Sequence, residues 1–209
     1  KLASIVFRPV EEPATTRLML EKGEVDIVHN LPTDMIDALK QNSDVVIGEK
    51  PGLETMYWAF NSQMEPFNDP LVRQALSYAV DYNAIMDNLV KDGGIRMRGP
   101  LPKGLASFDE TVMLFERDIE KAKSLLDEAG YPNGFDVTFH HTIDRYVLDV
   151  ATAEAIAGQL ALVGINVELI GLDPGAFFGA VSGSRLPGIH FSASAPLFMT
   201  NLYHPMIEF

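Results

Sequence analysis

Histidine is the residue type in this 209-residue chain best suited to chemistry near neutral pH, because imidazole binds metals and transfers protons. The chain has five histidines, of which His140 and His141 are adjacent. Neighbouring residues on a strand point to opposite faces, so these two cannot bind one metal ion together. No His-Glu-x-x-His motif and no spacing of two histidines with a carboxylate is present. The pattern favours histidines that stabilise the fold or line a cleft, with a nickel or haem ligand as the alternative.

Other side chains that could carry covalent chemistry lack the surrounding sequence that it needs. The Gly-x-Ser-x-Gly motif of a serine nucleophile is absent, and so are the glycine-rich loops that bind phosphate. Carboxylates are frequent, but the adjacent pairs Glu11-Glu12 and Asp127-Glu128 fit solvated helix ends. A chain without cysteine has no disulfide, thiol nucleophile, cysteine-bound zinc or iron–sulfur cluster.

Aromatic residues give a stronger indication of binding. Tyr57 and Trp58 are consecutive on a predicted strand that ends at Asn61. Alternation puts Tyr57, Ala59 and Asn61 on one face and Trp58 and Phe60 on the other. One of the two adjacent aromatic rings is therefore expected in the core, and the other can face a ligand.

A second aromatic and polar cluster lies near the end of the chain, in a segment with two prolines and no periodicity. It contains Phe198, Met199, Asn201, Tyr203 and His204. Irregular segments that follow a strand and mix aromatic with polar side chains commonly line small-molecule sites.

Composition narrows the class of partner. The chain carries 16 basic and 29 acidic residues, a formal charge of −13, with a pI near 4.7. Nucleic-acid binding is disfavoured because contacts to phosphates need clustered Lys and Arg. No apolar run reaches the roughly 18–20 residues that span a bilayer, and 47% apolar residues are sufficient for a folded core.

Periodicity and helix-capping residues predict alternating strands and helices. The predicted strands are 4–8, 25–28, 45–47, 55–60, 135–139, 165–170 and 189–193. The predicted helices are 13–22, 32–39, 70–79, 81–90, 118–129, 146–163 and 174–181. Asp69, Asp118 and Asp173 are expected to cap three of them. The alternation is typical of an α/β fold with helices on both faces of the sheet, and residues 95–111, around Arg98, are expected to form a long loop.

Four segments, in order along the chain, resemble motifs of the solute-binding proteins of ABC importers, family 5, the class for peptides, nickel and related solutes. The longest is 66–81, with Pro66-Phe67, Val72-Arg73-Gln74-Ala75-Leu76 and Asp81. The others are Gly23 to Ile27, the run from Asp118 to Tyr131, and Gly164 to Val167. The resemblance implies a periplasmic-binding-protein-like lobe of class II, with a mixed, mostly parallel sheet.

Proteins of that family have two lobes with the solute between them and are about twice as long as this chain. The resemblance implies that residues 1–209 are most of the second lobe, and we expect them to be a piece of a longer protein. It also implies a monomer, without enzymatic activity or cofactor, that captures a peptide, an oligosaccharide or a similar small solute for a membrane permease. The expected location is periplasmic or otherwise extracytoplasmic, with or without a lipid anchor. The alternatives are a cleft enzyme using histidine and carboxylate chemistry, and the effector-sensing domain of a regulator.

The carboxyl ends of the strands are where a ligand is expected in an open α/β sheet. The predicted ligand-binding residues are Tyr57, Trp58, Asn61, Arg98, His141, Phe198 and Asn201, with no metal ligand among them. In peptide-binding members of the family, an aromatic residue and an acidic residue three positions later hold the α-ammonium group. The resemblance places Phe198 and Asn201 at those positions, and an amide there favours neutral or anionic solutes.

Overall fold

A computed structural model describes residues 2–29, 31–48, 52–99, 101–105, 108–143, 145, 148–183 and 186–194. The chain forms two compact units, residues 1–51 and residues 52–209. Within the described residues, no helix combines the length and the apolar character needed to cross a bilayer.

The first unit contains two helices, α1 (Pro13–Glu21) and α2 (Thr33–Leu39). Both were predicted from the sequence. The strands predicted at 4–8, 25–28 and 45–47 are wrong, since the described residues of these segments have no strand structure. An isolated extended segment has no neighbour to accept and donate its backbone hydrogen bonds, so apolar alternation alone does not produce a strand.

The second unit contains a four-stranded sheet. Its strands are β1 (Thr55–Phe60), β2 (Asp136–Thr142), β3 (Asn166–Leu172) and β4 (Ile189–Ser194). Their order across the sheet is β1-β4-β2-β3, with β4–β2 and β2–β3 parallel and β1–β4 antiparallel. The predicted mixed, mostly parallel sheet is confirmed, and each of the four strands was predicted to within three residues at either end.

Helices cover both faces of this sheet. They are α3 (Pro70–Ala79), α4 (Tyr82–Ile85), α5 (Ile119–Glu128), α6 (Asp149–Leu160) and α7 (Pro174–Ser182). A π-helical turn, Met86–Val90, and a 3₁₀ turn, Lys91–Gly93, continue α4, and a second 3₁₀ turn, Ala161–Val163, follows α6. The predicted α/β class with helices on both faces is therefore confirmed.

Alternation along the strands separates the two faces. Phe139, Ile189 and Phe191 are buried against α3, α5 and α6 and form the main core. The intervening residues His140 and His190 point to the opposite face, where the His190 ring lies 6.4 Å from that of Phe177 in α7. The core of the second unit thus lies on one side of the sheet, with α7 on the other side.

Aspartate side chains cap four helices, including the three for which the cap was predicted. Asp69, Asp81, Asp118 and Asp173 accept hydrogen bonds from the backbone N–H groups of Leu71, Ala84, Lys121 and Ala176, at 2.7–3.0 Å. These bonds satisfy donors that a helix leaves without an intrahelical partner. The carboxylates of Asp69, Asp118 and Asp173 are structural, as the sequence predicts.

Two glycines permit a close contact between the loops that precede β2 and β3. Gly134 and Gly164 both have left-handed backbone conformations, with φ of 75° and 83°. A Cβ atom on Gly134 would lie 1.9 Å from the carbonyl oxygen of Gly164. Only glycine fits this approach, which brings the starts of the two parallel strands together.

Candidate functional site

A cavity of about 480 Å³ lies along β1, within the second unit. All six residues of β1 line it, and the remaining lining residues are Ser62, Arg73, Met97, Gly99 and Phe115. Apolar and aromatic side chains therefore surround the cavity, with a single guanidinium group among the lining residues. Size and lining both match those of cavities that hold small organic molecules.

Aromatic stacking fixes the strand side of the cavity. The rings of Trp58 and Phe60 are 5.0 Å apart in an edge-to-face contact, and Phe60 stacks on the buried Phe67 at 5.4 Å. Trp58 and Phe60 lie on the core face of β1 opposite Phe191 and Ile189 of β4. Each ring is half-buried, so it packs on the core and still contributes surface to the cavity.

The other side of the cavity is formed by the segment 94–117, which lies between the 3₁₀ turn after α4 and the start of α5. Met97, Gly99 and Phe115 of this segment reach the cavity. Its described residues contain no helix and no regular strand, as predicted for 95–111. Something other than backbone pairing must therefore hold the segment in place.

Arg96 provides that support. Its Nη1 donates hydrogen bonds to Asn83 Oδ1 and Glu116 Oε1, both at 2.8 Å, and its Nη2 donates to the carbonyl of Phe115. The guanidinium also lies over the ring of Tyr82, 5.1 Å from the ring centre. One arginine thus joins α4 to both ends of the segment that forms the cavity wall.

Arg73 enters the cavity from the first turn of α3. Its Nη1 donates to the carbonyl of Phe67 at 2.5 Å. Phe67 is almost completely buried, so this bond fixes the guanidinium to the core. The side chain is half-buried and held at one nitrogen only among the described contacts.

A second depression, of about 470 Å³, lies near the start of α3. It is lined by Glu65, Asn68, Asp69, Pro70, Ala129 and Tyr131. Its Asp69 carboxylate already caps α3, and it offers little apolar surface. The cavity along β1 is the better candidate for an organic ligand.

Residues 1–201 match the family described as bacterial extracellular solute-binding proteins, family 5 Middle. The glutathione-binding protein GsiB of Pectobacterium atrosepticum is 33% identical over 98% of this chain and 42% of its own length. Heme-binding protein A of Haemophilus influenzae is 38% identical over 66% of this chain and 25% of its own length. This chain belongs to family 5 of the solute-binding proteins.

Solved structures agree with that assignment. The periplasmic binding protein DppA of Helicobacter pylori, in complex with the peptide STSA, gives a TM-score of 0.80 at 27% identity, over 90% of this chain and 36% of that one. A dipeptide-binding protein of Pseudoalteromonas, in complex with Met-Leu, gives 0.77 at 26% identity, over 91% and 38%. This chain spans about two fifths or less of the length of these four relatives. Its relatives are binding proteins.

The predicted ligand-binding residues of the family 5 chain fall into three groups. Tyr57 and Trp58 line the cavity, on opposite faces of β1 as predicted. Arg98 lies in the cavity wall between two lining residues, but is exposed, is not itself a lining residue, and donates from Nη1 to the carbonyl of Val112 at 3.2 Å. Phe198 and Asn201 lie outside the described residues.

Asn61 and His141 are not themselves lining residues of the cavity. Asn61 ends β1, where its Nδ2 donates to the carbonyl of Leu186 at 3.0 Å and its Oδ1 accepts from the N–H of Gln63 at 3.2 Å. His141 is buried on β2, two strands from β1, and its Nδ1 lies 3.0 Å from the carbonyl of Thr142. Their contribution to solute binding stays a prediction.

The described histidines of the second unit, His140, His141 and His190, show no catalytic grouping. His140 and His190 are direct neighbours on β2 and β4, and the Nδ1 atoms of both are buried without a hydrogen-bond partner in the described structure. Burial lowers the pKa of each, so the neutral imidazole is favoured. Nowhere in the described ranges do three His, Cys, Asp or Glu side chains come together to hold a metal. Asp144 and His204, two residues of the proposed enzymatic alternative, lie outside those ranges.

Sequence reasoning missed most of the lining residues, among them Arg73, Met97 and Phe115. Arg73 stands within the longest family-like motif, beside residues that form the inward face of α3. A charged residue next to buried positions was the signal in the sequence that could have indicated its role. Met97 is next to Arg98, so the loop was identified but Met97 itself was not. Phe115 lies beyond the predicted loop, and no pattern around it indicated a role.

Proposed function

We propose that this chain is part of an extracytoplasmic solute-binding protein that captures a small solute and delivers it to the permease of an ABC importer. The observation that carries the proposal is the aromatic and apolar cavity along β1 in a chain of family 5. The protein acts by binding, without covalent chemistry. We further propose a peptide-like or similar small solute, a periplasmic location and a monomeric state.

Affinity in such a protein depends on enclosure. A ligand in the cavity along β1 contacts one surface formed by the strand and the segment 94–117. A second lobe that covers the ligand would remove its remaining surface from water and increase affinity. We propose that residues 1–209 supply most of one lobe. The hydrophobic core of that lobe is formed by side chains of the sheet and helices of the second unit.

Names of relatives support an organic solute. GsiB is called glutathione-binding, and two solved relatives hold the peptides STSA and Met-Leu. Another solved relative, at 32% identity and a TM-score of 0.69, holds agropinic acid. Most of these ligands combine an apolar or flexible chain with polar groups, which suits a cavity with aromatic walls and few charges.

The test begins with the full-length protein, from which bound solute is released and identified by mass spectrometry. Binding of that solute is then measured by calorimetry in two variants of the same loop. Met97→Ala removes a half-buried side chain that lines the cavity, and Met113→Ala removes an exposed one that does not. We expect Met97→Ala to weaken binding about 5- to 30-fold, from the lost apolar contact, and Met113→Ala to leave affinity unchanged.

Two results would contradict the proposal. One is unaltered affinity in both methionine variants, which would place the solute elsewhere. The other is turnover of the solute by the purified protein, which would favour the enzymatic alternative.

A further inference from the structure

Arg73 is the lining residue of the cavity that carries a charge. The lining residues include no Asp and no Glu, although the whole chain has a formal charge of −13. A positively charged group facing an apolar cavity, with no carboxylate among the lining residues to neutralise it, favours an anionic ligand group over a cationic one.

The guanidinium of Arg73 is held in place by one hydrogen bond, and most of its N–H donors are not used by the described residues. Nη1 donates to the carbonyl of Phe67, which is 1% exposed and stacks on Phe60 of β1. A guanidinium has five N–H donors. In the described structure, Nε and Nη2 make no hydrogen bond or ion pair, so they remain available for a ligand.

We propose that Arg73 is the anion-recognition residue of the cavity, and that the solute carries a carboxylate or similar anionic group beside an apolar portion. The inference rests on the proposed function, because it names the chemical class that the same cavity takes. A planar guanidinium fixed at one corner can offer two parallel N–H groups to a carboxylate. Because the bond to Phe67 already orders the side chain, little further entropy is lost on binding.

The other two arginines near the cavity are used by the protein itself. Arg96 donates to Asn83, Glu116 and the carbonyl of Phe115. Arg98 is exposed and donates to the carbonyl of Val112. Of the three arginines, Arg73 is therefore the one best placed to bind an anionic group of the ligand.

The local charge can be measured without knowing the solute. Trp58 lines the same cavity and is the only tryptophan of the 209-residue chain, so its fluorescence reports on the site. Quenching is compared for iodide, neutral acrylamide and caesium. In Arg73→Gln we expect the iodide constant to fall at least 2-fold, the caesium constant to rise and the acrylamide constant to stay the same.

Two further variants separate charge from structure. Arg98→Gln removes the same charge from the exposed part of the wall, and we expect a smaller change in iodide quenching. Arg73→Lys keeps the charge, and we expect it to retain the iodide quenching of the wild type even if Arg73→Gln is less stable. The proposal is overturned if Arg73→Gln changes iodide quenching no more than Arg98→Gln does, or if Arg73→Lys behaves like Arg73→Gln.

A binding experiment on the full-length protein tests the ligand class with two probes, Met-Leu and its C-terminal amide. We expect the wild type to prefer the free acid at least 10-fold, and Arg73→Gln to reduce that preference below 3-fold with little change for the amide. Equal affinities for acid and amide in the wild type would overturn the role of Arg73 and leave solute capture intact. Failure to bind either dipeptide would contradict a carboxylate-bearing peptide as solute. The proposed function itself is tested separately, and release of no solute on extraction would contradict it.

Discussion

Residues 2–48 and residues 52–194 contain similar apolar segments with different outcomes. In the first unit Phe7 and Val46 are 90% and 92% exposed, in segments predicted to be strands. In the second unit Phe139 and Ile189 are completely buried on paired strands. Apolar periodicity marks which side chains can be buried, whereas the pairing and the helices of the sheet determine whether they are.

The largest expected effect is a loss of stability that differs between the two units. Phe139→Ala removes a fully buried ring from the core and should destabilise the second unit by about 3–5 kcal/mol. Phe7→Ala removes an exposed ring in the first unit and should change stability by less than about 0.5 kcal/mol. Urea unfolding followed by circular dichroism measures both. Equal losses would show that the apolar segments of the first unit are buried in solution.

Local signals explain how much of the fold the sequence predicts. Helix starts depend on a side chain and the next few backbone groups, so Asp69, Asp118 and Asp173 could be recognised one by one. Strand pairing depends on distant segments. The sequence therefore indicates where strands can form, but the missing strands of the first unit and the extension of β2 through Thr142 depend on neighbours that it does not specify.

The second prediction concerns the cavity wall, residues 94–117. Like the segments 4–8, 25–28 and 45–47 of the first unit, its described residues form no helix and no regular strand. Arg96→Ala removes the bonds to Asn83, Glu116 and the Phe115 carbonyl. We expect a stability loss of about 1–2 kcal/mol and faster acrylamide quenching of Trp58 as the wall loosens. Arg98→Ala, which removes one exposed bond to Val112, is the control and should do neither. Unchanged quenching in Arg96→Ala would mean that the wall is held by other contacts.

The third prediction uses the buried histidines, which the first unit lacks. Burial is the largest cause that lowers the pKa of His140 and His190; the carbonyls of Ile189 and Pro187 and the charge of Glu168 oppose it for His140. As the pH falls, these histidines therefore bind protons in the unfolded chain before they do so in the folded one, at the ordinary histidine pKa of about 6.5. Stability is full above that pH and falls as the pH decreases below it.

Substitution isolates this effect. In His190→Gln the loss of stability between pH 7.5 and 5.5 should be smaller than in the wild type, because one of the two buried imidazoles is gone. His29→Gln, at an exposed position of the first unit, should keep the full loss. The measurement is the urea midpoint at both pH values. If His190→Gln loses as much stability as the wild type between the two pH values, the acid sensitivity belongs to other groups.

The candidate site is less predictable than the fold because it is assembled from side chains of separate elements. Alternation on one strand was enough to place Tyr57 and Trp58 on opposite faces. By contrast, the availability of a charged side chain at the cavity depends on the hydrogen bonds that it makes in the folded protein. Arg98 is bonded to Val112, and Arg73 to Phe67. Sequence position alone does not distinguish an arginine that supports a loop from one that can receive a ligand.

The smallest expected effect compares helix caps in the two units. Asp118 caps α5, which is packed in the core, and accepts from the N–H of Lys121 at 2.9 Å. Asp118→Ala leaves that donor without its partner and should cost about 0.5–2 kcal/mol, with Asp118→Asn recovering most of the loss. Glu12 caps α1 through the N–H groups of Ala14 and Thr15. A side-chain hydrogen bond with Thr15, together with these backbone bonds, lowers the pKa of the Glu12 carboxyl. The matched Glu12→Ala variant should leave the unfolding midpoint of the second unit unchanged, and its effect should be confined to amide exchange in α1. A shift of that midpoint equal to the shift in Asp118→Ala would show that the two units unfold together.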